Sequence, residues 1–446
     1  MKLALPSYVL FSLLFLSISC EKKSEDWSSK TEITKWKDGK NGAISVTYDD
    51  GIINQMTIAK PIMDRLGLPA TFFIITEKVA GSQKGKFIGR DPTVIIEETS
   101  TIKTDSTNFF ERASLIAFTG SSEAELYHAN AGSLFESGKI KEAYELIDEG
   151  FEKIRKKLMQ DTDEVVFHNN KEDTTSWDQY REYQAQGHEI SSHTVTHPKL
   201  AVLDEANMRY ELEQSKADLA KFLGEKSTFT AEGPYGTENE RVMEYAHQTY
   251  SALRNRMAED WLIEINRGSN DSPVNATKEY VQWQRGILTN SSEELMESWV
   301  NTTSTNDNIW LVLVIHGVEQ FGWEPKTENE LREYFVYMKT KEPDLWIGTF
   351  GDVTKYLRER KATQLSATLS GDELIVDLAS ALDSEVYDVP LTIKTYVPEN
   401  WKAASISTSA GKIVTDTFSD EGGKFVLFNV APSEKSILLK NKMNSE

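Results

Sequence analysis

The chain has 446 residues, 39% of them apolar and 27% charged, which is the make-up of an ordinary folded protein and, by length, of two or three domains, one of them large enough for an enzyme barrel. Its 49 Lys and Arg against 70 Asp and Glu leave a formal charge of -21, which argues against nucleic acid as a partner and gives no attraction to anionic lipid heads. The 10 Trp suggest sugar-stacking surfaces, although burial in a core accounts for most tryptophans.

At the N-terminus Lys2 is followed by a mostly apolar run from Leu3 to Ile18 and then by Cys20. The run falls short of the ~20 residues that span a bilayer. With Ser17, Ile18 and Ser19 ahead of the cysteine, residues 1–19 resemble a lipoprotein signal peptide, whose cleavage would leave a lipid on Cys20 and anchor the protein to a membrane of the cell envelope. Ser17 stands where the usual pattern has leucine, and the alternative is a plain secretory signal with an incidental cysteine. Cys20 is the only cysteine, so no intramolecular disulfide forms and no other thiol can be nucleophile or metal ligand. Residues 20–30 read as a polar, flexible tether.

From about Ala43 short apolar runs alternate with longer amphipathic ones, as β/α units around a parallel sheet or barrel do. Strands are expected at Ala43–Tyr48, Ala70–Ile75, Glu189–Ser192, Ser227–Ala231, Trp310–Ile315 and Leu345–Thr349. The stretch 80–175 is too long for a simple loop. Within it Ala131, Leu134, Phe135, Gly138, Ala143 and Ile147 are spaced like one tetratricopeptide-type hairpin, which cannot bury its own face and is therefore expected as a helical insertion packed on the main body. A helix is expected over Asp204–Phe222, capped by Asp204 and stopped by Gly224, and Ser291 with Glu294 reads as the capping box of another. From about Gln364 the texture changes to alternation at Leu374, Val376 and Leu378, then Phe425 to Phe428 after a Gly422-Gly423 turn. The expected architecture is α/β, a distorted or incomplete (β/α) barrel over 31–362 carrying the insertion, followed by a small β-sandwich-like domain over 363–446.

Two clusters carry the first sign of chemistry. In Gly187-His188-Glu189-Ile190-Ser191-Ser192-His193-Thr194-Val195-Thr196-His197-Pro198, two histidines four apart on one helical turn could present both imidazoles to a single metal ion. Alone, such a pair is more often two unrelated histidines. Ser45-Val46-Thr47-Tyr48-Asp49-Asp50-Gly51 puts two adjacent carboxylates at the end of an apolar strand, where buried charge is costly unless a divalent cation compensates for it. Without the histidines, an acidic turn capping the strand would be the better reading.

Together these clusters resemble the first two motifs of the NodB-type polysaccharide deacetylases, carbohydrate esterase family 4. Thr47 to Gly51 and Ala70 to Phe73 match the family's Thr-Phe-Asp-Asp-Gly strand end and its following Ala-Thr-Phe-Phe strand, with only Tyr48 different. The resemblance implies that Asp49 is the general base and that Asp50, His193 and His197 hold a divalent metal ion, with coordination positions left for water and a substrate carbonyl. Zinc is the expected ion because the ligand set is mixed N/O. Gly233-Pro234-Tyr235-Gly236 is similar to the family's Arg-Pro-Pro-Tyr-Gly segment, which assigns the Tyr235 backbone N–H to the oxyanion. Glu232 occupies the arginine position, so the cation that would orient the base is missing there, and Arg285 in Trp283-Gln284-Arg285 is the candidate replacement. Trp310 to Ile315 followed by His316-Gly317 resembles the family's apolar strand ending in the histidine that acts as general acid.

The resemblance covers roughly Thr31 to Arg360 apart from the insertion, and the family's fourth motif is not recognisable. It implies a hydrolase that removes N-acetyl groups from a polysaccharide or oligosaccharide. The same site would cleave esters more easily than amides, so an O-acetyl esterase acting on decorated glycans is the alternative. Glu232 is the argument for another, a catalytically degenerate glycan-binding surface lipoprotein, and the retention of both aspartates and all three histidines is the argument against it. Independently of any family, every cluster follows an expected strand, and β/α barrels gather their reactive groups at that end of the strands.

Overall fold

In the computed structural model two apolar runs, Gly42–Tyr48 and Ile309–Ile315, are strands buried along their whole length. They pair in parallel from Trp310 beside Ala43 to Ile315 beside Tyr48. Strands buried at every position, the polar Ser45 and Thr47 included, belong to a sheet covered on both faces. The structure describes residues 24–161, 175–237, 239–257, 263–265, 273–276 and 278–442. The leader and Cys20 lie outside the described residues, as do residues 162–174 of the expected insertion. No described helix is long and apolar enough to cross a membrane.

In chain order the parallel strands are β1 (Gly42–Tyr48), β2 (Thr71–Ile74), β3 (Glu189–Ser192), β4 (Thr230–Ala231), β5 (Ala252–Leu253), β6 (Ile263–Ile265), β7 (Val281–Gly286), β8 (Ile309–Ile315) and β9 (Leu345–Ile347). They lie across the sheet as β5-β4-β3-β2-β1-β8-β7-β6, with β9 also paired to β1. The ladder from β5 to β6 is open among the described residues, which gives the distorted, incomplete (β/α) barrel. Three of these strands, β5, β6 and β7, were not expected from the sequence, and two further details differ. Ser227 and Thr228 belong to a short 3-10 turn, leaving only Thr230–Ala231 as strand. The cap of the helix Glu293–Ser304 is Ser292, which accepts from Leu295 N, whereas the Ser291 hydroxyl accepts from Leu288 N one turn earlier. The helix Glu205–Leu223 starts and stops as its sequence dictates: the Asp204 side chain accepts from Asn207 N at 3.0 Å, and Gly224 takes φ 91°, a left-handed conformation that glycine adopts without strain.

Between β2 and β3 the chain forms the helices Pro92–Glu98, Phe109–Ala117, Ser122–Glu136 and Ile140–Lys156. The last two are joined through Gly138 at φ 78°. Ala131, Ala143 and Ile147 are fully buried with Phe109 and Phe151 in a core that also takes in Val202 of the barrel, while Leu134 and Phe135 are half-buried at its margin. The hairpin therefore buries its apolar face against the main body, as a lone helical pair must.

After the helix Phe350–Ala362 come two antiparallel sheets. One orders Ser24–Asp26, Gln364–Ser370, Glu373–Ala379, Ser436–Asn441, Ala403–Thr408 and Gly411–Asp416; the other orders Phe418–Asp420, Gly423–Val430, Leu391–Tyr396 and Thr31–Ile33. Leu374, Val376 and Leu378 are buried in strict alternation. Residues 24–26, expected as part of a tether, are instead a strand paired with Thr368–Ser370. One core connects these sheets to the barrel, running from Leu391, Ile393 and Trp401 through Trp36 and Tyr356 to Trp310 and Phe350.

Candidate active site

The strand register alone lines up the reactive positions. Tyr48 is level with Ile315, Ile74 with Ser192, Ser192 with Ala231, and Ala231 with Leu253. The residue following each strand end then continues the row through one backbone hydrogen bond: Asp49 N donates to Ile315 O, His193 N to Ile74 O, Glu232 N to Ser192 O and Arg254 N to Ala231 O. Asp49, His193, Glu232, Arg254 and His316 are thereby brought to the carboxyl end of one parallel sheet.

Asp50 turns back from this row at φ 75°, a conformation that aspartate tolerates better than most residues. One of its carboxylate oxygens lies 3.5 Å from His193 Nε2 and 3.4 Å from His197 Nε2, and one ligand atom from each of the three residues falls within 4.8 Å of the others. Two imidazoles and a carboxylate are the donor set that suits a zinc-like ion with open positions, so these residues fit the metal that the resemblance implies. His193 Nδ1 donates to the Glu232 carbonyl at 3.1 Å, which fixes the tautomer and leaves Nε2 facing Asp50. Burial lowers the His193 pKa against the pull of Asp49 and Asp50, so the ring is held neutral, the form that binds metal.

The two histidines do not share a helical turn. They sit in a loop after β3 that is left-handed at Thr194 and His197, both at φ 68°. A β-branched residue at positive φ is strained and needs outside support. Glu211, fully buried on the helix Glu205–Leu223, accepts from Val195 N, Thr196 N and Thr196 Oγ1, each at 2.8 Å. From the insertion, His128 Nε2 accepts from Lys199 N at 2.9 Å, and its Nδ1 lies 2.8 Å from the Ala113 carbonyl. Gly132 lets the same helix approach: a Cβ there would run into the Lys199 side chain.

His128 is buried neutral, with desolvation lowering its pKa to about 4. An unfolded histidine binds a proton below about pH 6.5, so stability attributable to this residue is lost as pH falls from there towards 4, by at most ~3 kcal/mol. Thermal melts of His128→Gln and the native protein across that interval are expected to converge as the pH is lowered. Parallel curves would show that His128 is not the group responsible.

Asp49 is gripped by a residue that the sequence reading missed. Arg254 donates from Nη1 to Asp49 Oδ1 at 2.7 Å and to Thr47 Oγ1 at 2.6 Å, and from Nη2 to Asp49 Oδ2 at 2.6 Å. The same Nη2 lies 2.8 Å from Glu232 Oε1, and all three charged side chains are at most 3% exposed. Burial alone would raise the Asp49 pKa, but Arg254, then His316 and His193, outweigh it and hold the carboxyl below its ordinary range. The expected replacement, Arg285, is elsewhere: it donates to the neighbouring Gln284 carbonyl and packs on Trp283. Arg254 follows directly on β5, whose two residues are too few to show a strand pattern.

His316 Nε2 lies 3.3 Å from Asp49 Oδ2, and the His316 side chain is 22% exposed on the open side of the row. The Gln55 amide donates to both the Asp49 carbonyl at 2.6 Å and the His316 carbonyl at 2.7 Å, tying the two backbones together. Tyr235 has φ 59°, and its ring lies 4.8 Å from that of His197. Of the residues singled out from the sequence, Asp49, Asp50, His193, His197, Tyr235 and His316 are thus brought together with Glu232, and Arg285 is not.

Residues of this chain are 27% identical over 280 positions to a gellan lyase from a Bacillus species, an alignment that takes in 58% of this chain and 11% of that protein. The chain thus spans about a tenth of that relative's length. Among solved structures, the Bc1960 peptidoglycan N-acetylglucosamine deacetylase superposes with a TM-score of 0.33 at 13% identity, over 70% of this chain and 88% of its own. The chitin deacetylase of the fungal pathogen Colletotrichum lindemuthianum gives 0.32 at 12% identity, over 70% and 87%. Residues 151–251, which carry His193, His197, Glu232 and Tyr235, match the polysaccharide deacetylase family model.

Proposed function

We propose that the protein is a metal-dependent deacetylase that hydrolyses N-acetyl groups of a polysaccharide or oligosaccharide. The observation that carries this reading is the meeting of a three-ligand cradle, Asp50, His193 and His197, with an acid–base pair, Asp49 and His316, at one sheet end within a chain whose residues 151–251 match polysaccharide deacetylases. When bound, a divalent ion in the cradle would acidify water and polarise the acyl carbonyl. Asp49, kept ionised by Arg254, takes the proton of the attacking water. That proton then sits within one hydrogen bond of His316, which delivers it to the departing amine. The Tyr235 backbone N–H holds the oxyanion. Arg254 supplies the cation whose absence at Glu232 was the case for a degenerate site.

The test is acetate release by the metal-loaded protein from N-acetylated and O-acetylated glycans, with His316→Ala alongside. An amine cannot leave without a proton, whereas an activated phenolate can. His316→Ala should therefore slow hydrolysis of an N-acetylated oligosaccharide by about 10²- to 10⁴-fold, and slow an aryl acetate much less. Equal losses on both would withdraw the acid assignment. Acetate released from esters alone would move the reading to an O-acetyl esterase.

The leader motivates a second proposal, that the enzyme works in the cell envelope through a lipid on Cys20. Cys20→Ser is expected to shift the protein from the membrane fraction to the soluble one. Unaltered detergent partitioning of that variant would remove the anchor from the account.

A further inference from the structure

Exposed aromatic rings are few among the described residues. Among the described residues only Tyr235, Phe321, Trp323 and Phe418 are exposed, at 41–50%. Phe418 belongs to the antiparallel sheets, but Tyr235 and Trp323 lie on the row of catalytic candidates, and Phe321 shares the loop of Trp323. The Tyr235 ring lies 4.8 Å from His197, and the Trp323 ring stands edge-on 4.9 Å from His316. The site is thus flanked by an open aromatic face on each side. An aromatic ring left in water forgoes the stabilisation of burial, so a cluster of them at a polar site marks a binding surface.

The loop presenting Trp323 is braced to keep the ring out. Gly317 N donates to the Trp323 carbonyl at 2.8 Å, Val318 N to Phe321 O at 2.9 Å, and Lys326 N to Gly317 O at 3.2 Å. A Cβ on Gly322 would come within 2.7 Å of Gly317 Cα, so the two arms touch backbone to backbone. Glu319 and Glu324 are held left-handed at φ 60° and 49°, and strain of this kind persists only where surrounding structure enforces it. The result is a preorganised flat apolar face beside the proposed acid.

We propose that Trp323, with Phe321 beside it, is a stacking platform for a pyranose ring of the substrate on the leaving-group side of His316. This rests on the deacetylase reading and extends it: the enzyme selects a chain of sugars, not an isolated acetylated sugar. A neutral ring with one C–H face suits this surface, which offers exposed apolar area beside the proposed acid.

The experiment compares N-acetylglucosamine with its β-1,4-linked tetramer, and acetylated xylose with acetylated xylotetraose, on the metal-loaded full chain. The native protein is expected to prefer a tetramer over its monomer in kcat/KM, and Trp323→Ala should lower that ratio by about tenfold, mostly through KM, since one ring stack is worth about that factor. Trp323→Phe, which keeps a flat ring, should retain most of the preference. If Trp323 only props His316, both substrates slow equally, the ratio stands, and the platform is overturned. No preference in the native protein overturns it as well, while leaving deacetylation intact. No acetate from any of the four withdraws the deacetylase reading, and the platform with it.

Discussion

Arg254→Met is expected to destabilise the protein by about 3–5 kcal/mol and to slow acetate release by at least about a hundredfold. The reason is that Asp49 and Glu232, each almost wholly buried, share this one guanidinium, and removing one partner of a buried ion pair strands the charge of the others. Without the arginine nothing offsets the effect of burial on Asp49 beyond His316 and His193, so its pKa rises and the acid limb of the pH–rate profile moves to higher pH. Arg254→Lys keeps a cation but not the two-pronged grip on both carboxylate oxygens, and should recover only part of the loss. Exchanging the charges, Glu232→Arg with Arg254→Glu, puts the cation where the sequence resemblance expects it and should be less damaging than either single change. Denaturant melts and pH profiles decide the matter: a native melting curve and an unmoved acid limb for Arg254→Met would show that the ion pair neither holds the fold nor tunes the base.

His193→Ala or His197→Ala is expected to abolish stoichiometric metal and nearly all turnover, because two remaining protein ligands hold a divalent ion poorly. Asp49→Asn, by contrast, should keep the metal and lose activity, since Asp49 is turned towards Arg254 and His316 while Asp50 is the carboxylate that faces both histidines. Elemental analysis of the purified variants separates the two roles. If Asp49→Asn empties the site and Asp50→Asn leaves it filled, the assignments of the two aspartates must be exchanged.

Six of the nine parallel strands were legible because short apolar runs such as Trp310–Ile315 read as buried strands at that length, and because reactive clusters follow them; β5, β6 and β7 were not read. What could not be read is what distant parts of the chain impose. The spacing of His193 and His197 suits a helical turn, yet the loop is shaped by Glu211 and His128, residues from two other elements whose hydrogen bonds override local preference at Thr194. Arg254 was hidden because β5 is two residues long, and Arg285, offered in its place, lies within β7, on the far side of β8 from β1. Ser24-Glu25-Asp26 has no apolar pattern at all; it is a strand only because Gln364–Ser370 lies beside it.

That last pairing bears on how the molecule can fold. Trp27 donates its indole N–H to the carbonyl of Tyr396, 369 positions later, and Thr31 meets Thr395 across a similar span. The first described segment cannot complete its contacts until almost the whole chain is present. Until then Trp36 and Tyr356, which end in the common core, lack the strands that cover them. Contacts so far apart in sequence slow folding and leave apolar surface open to aggregation in the meantime. The chain should therefore fold late, so that in a nascent polypeptide stalled before residue 391 the segment around Thr31–Ile33, whose partner is Leu391–Tyr396, remains open to protease, however well formed its inserted helices already are.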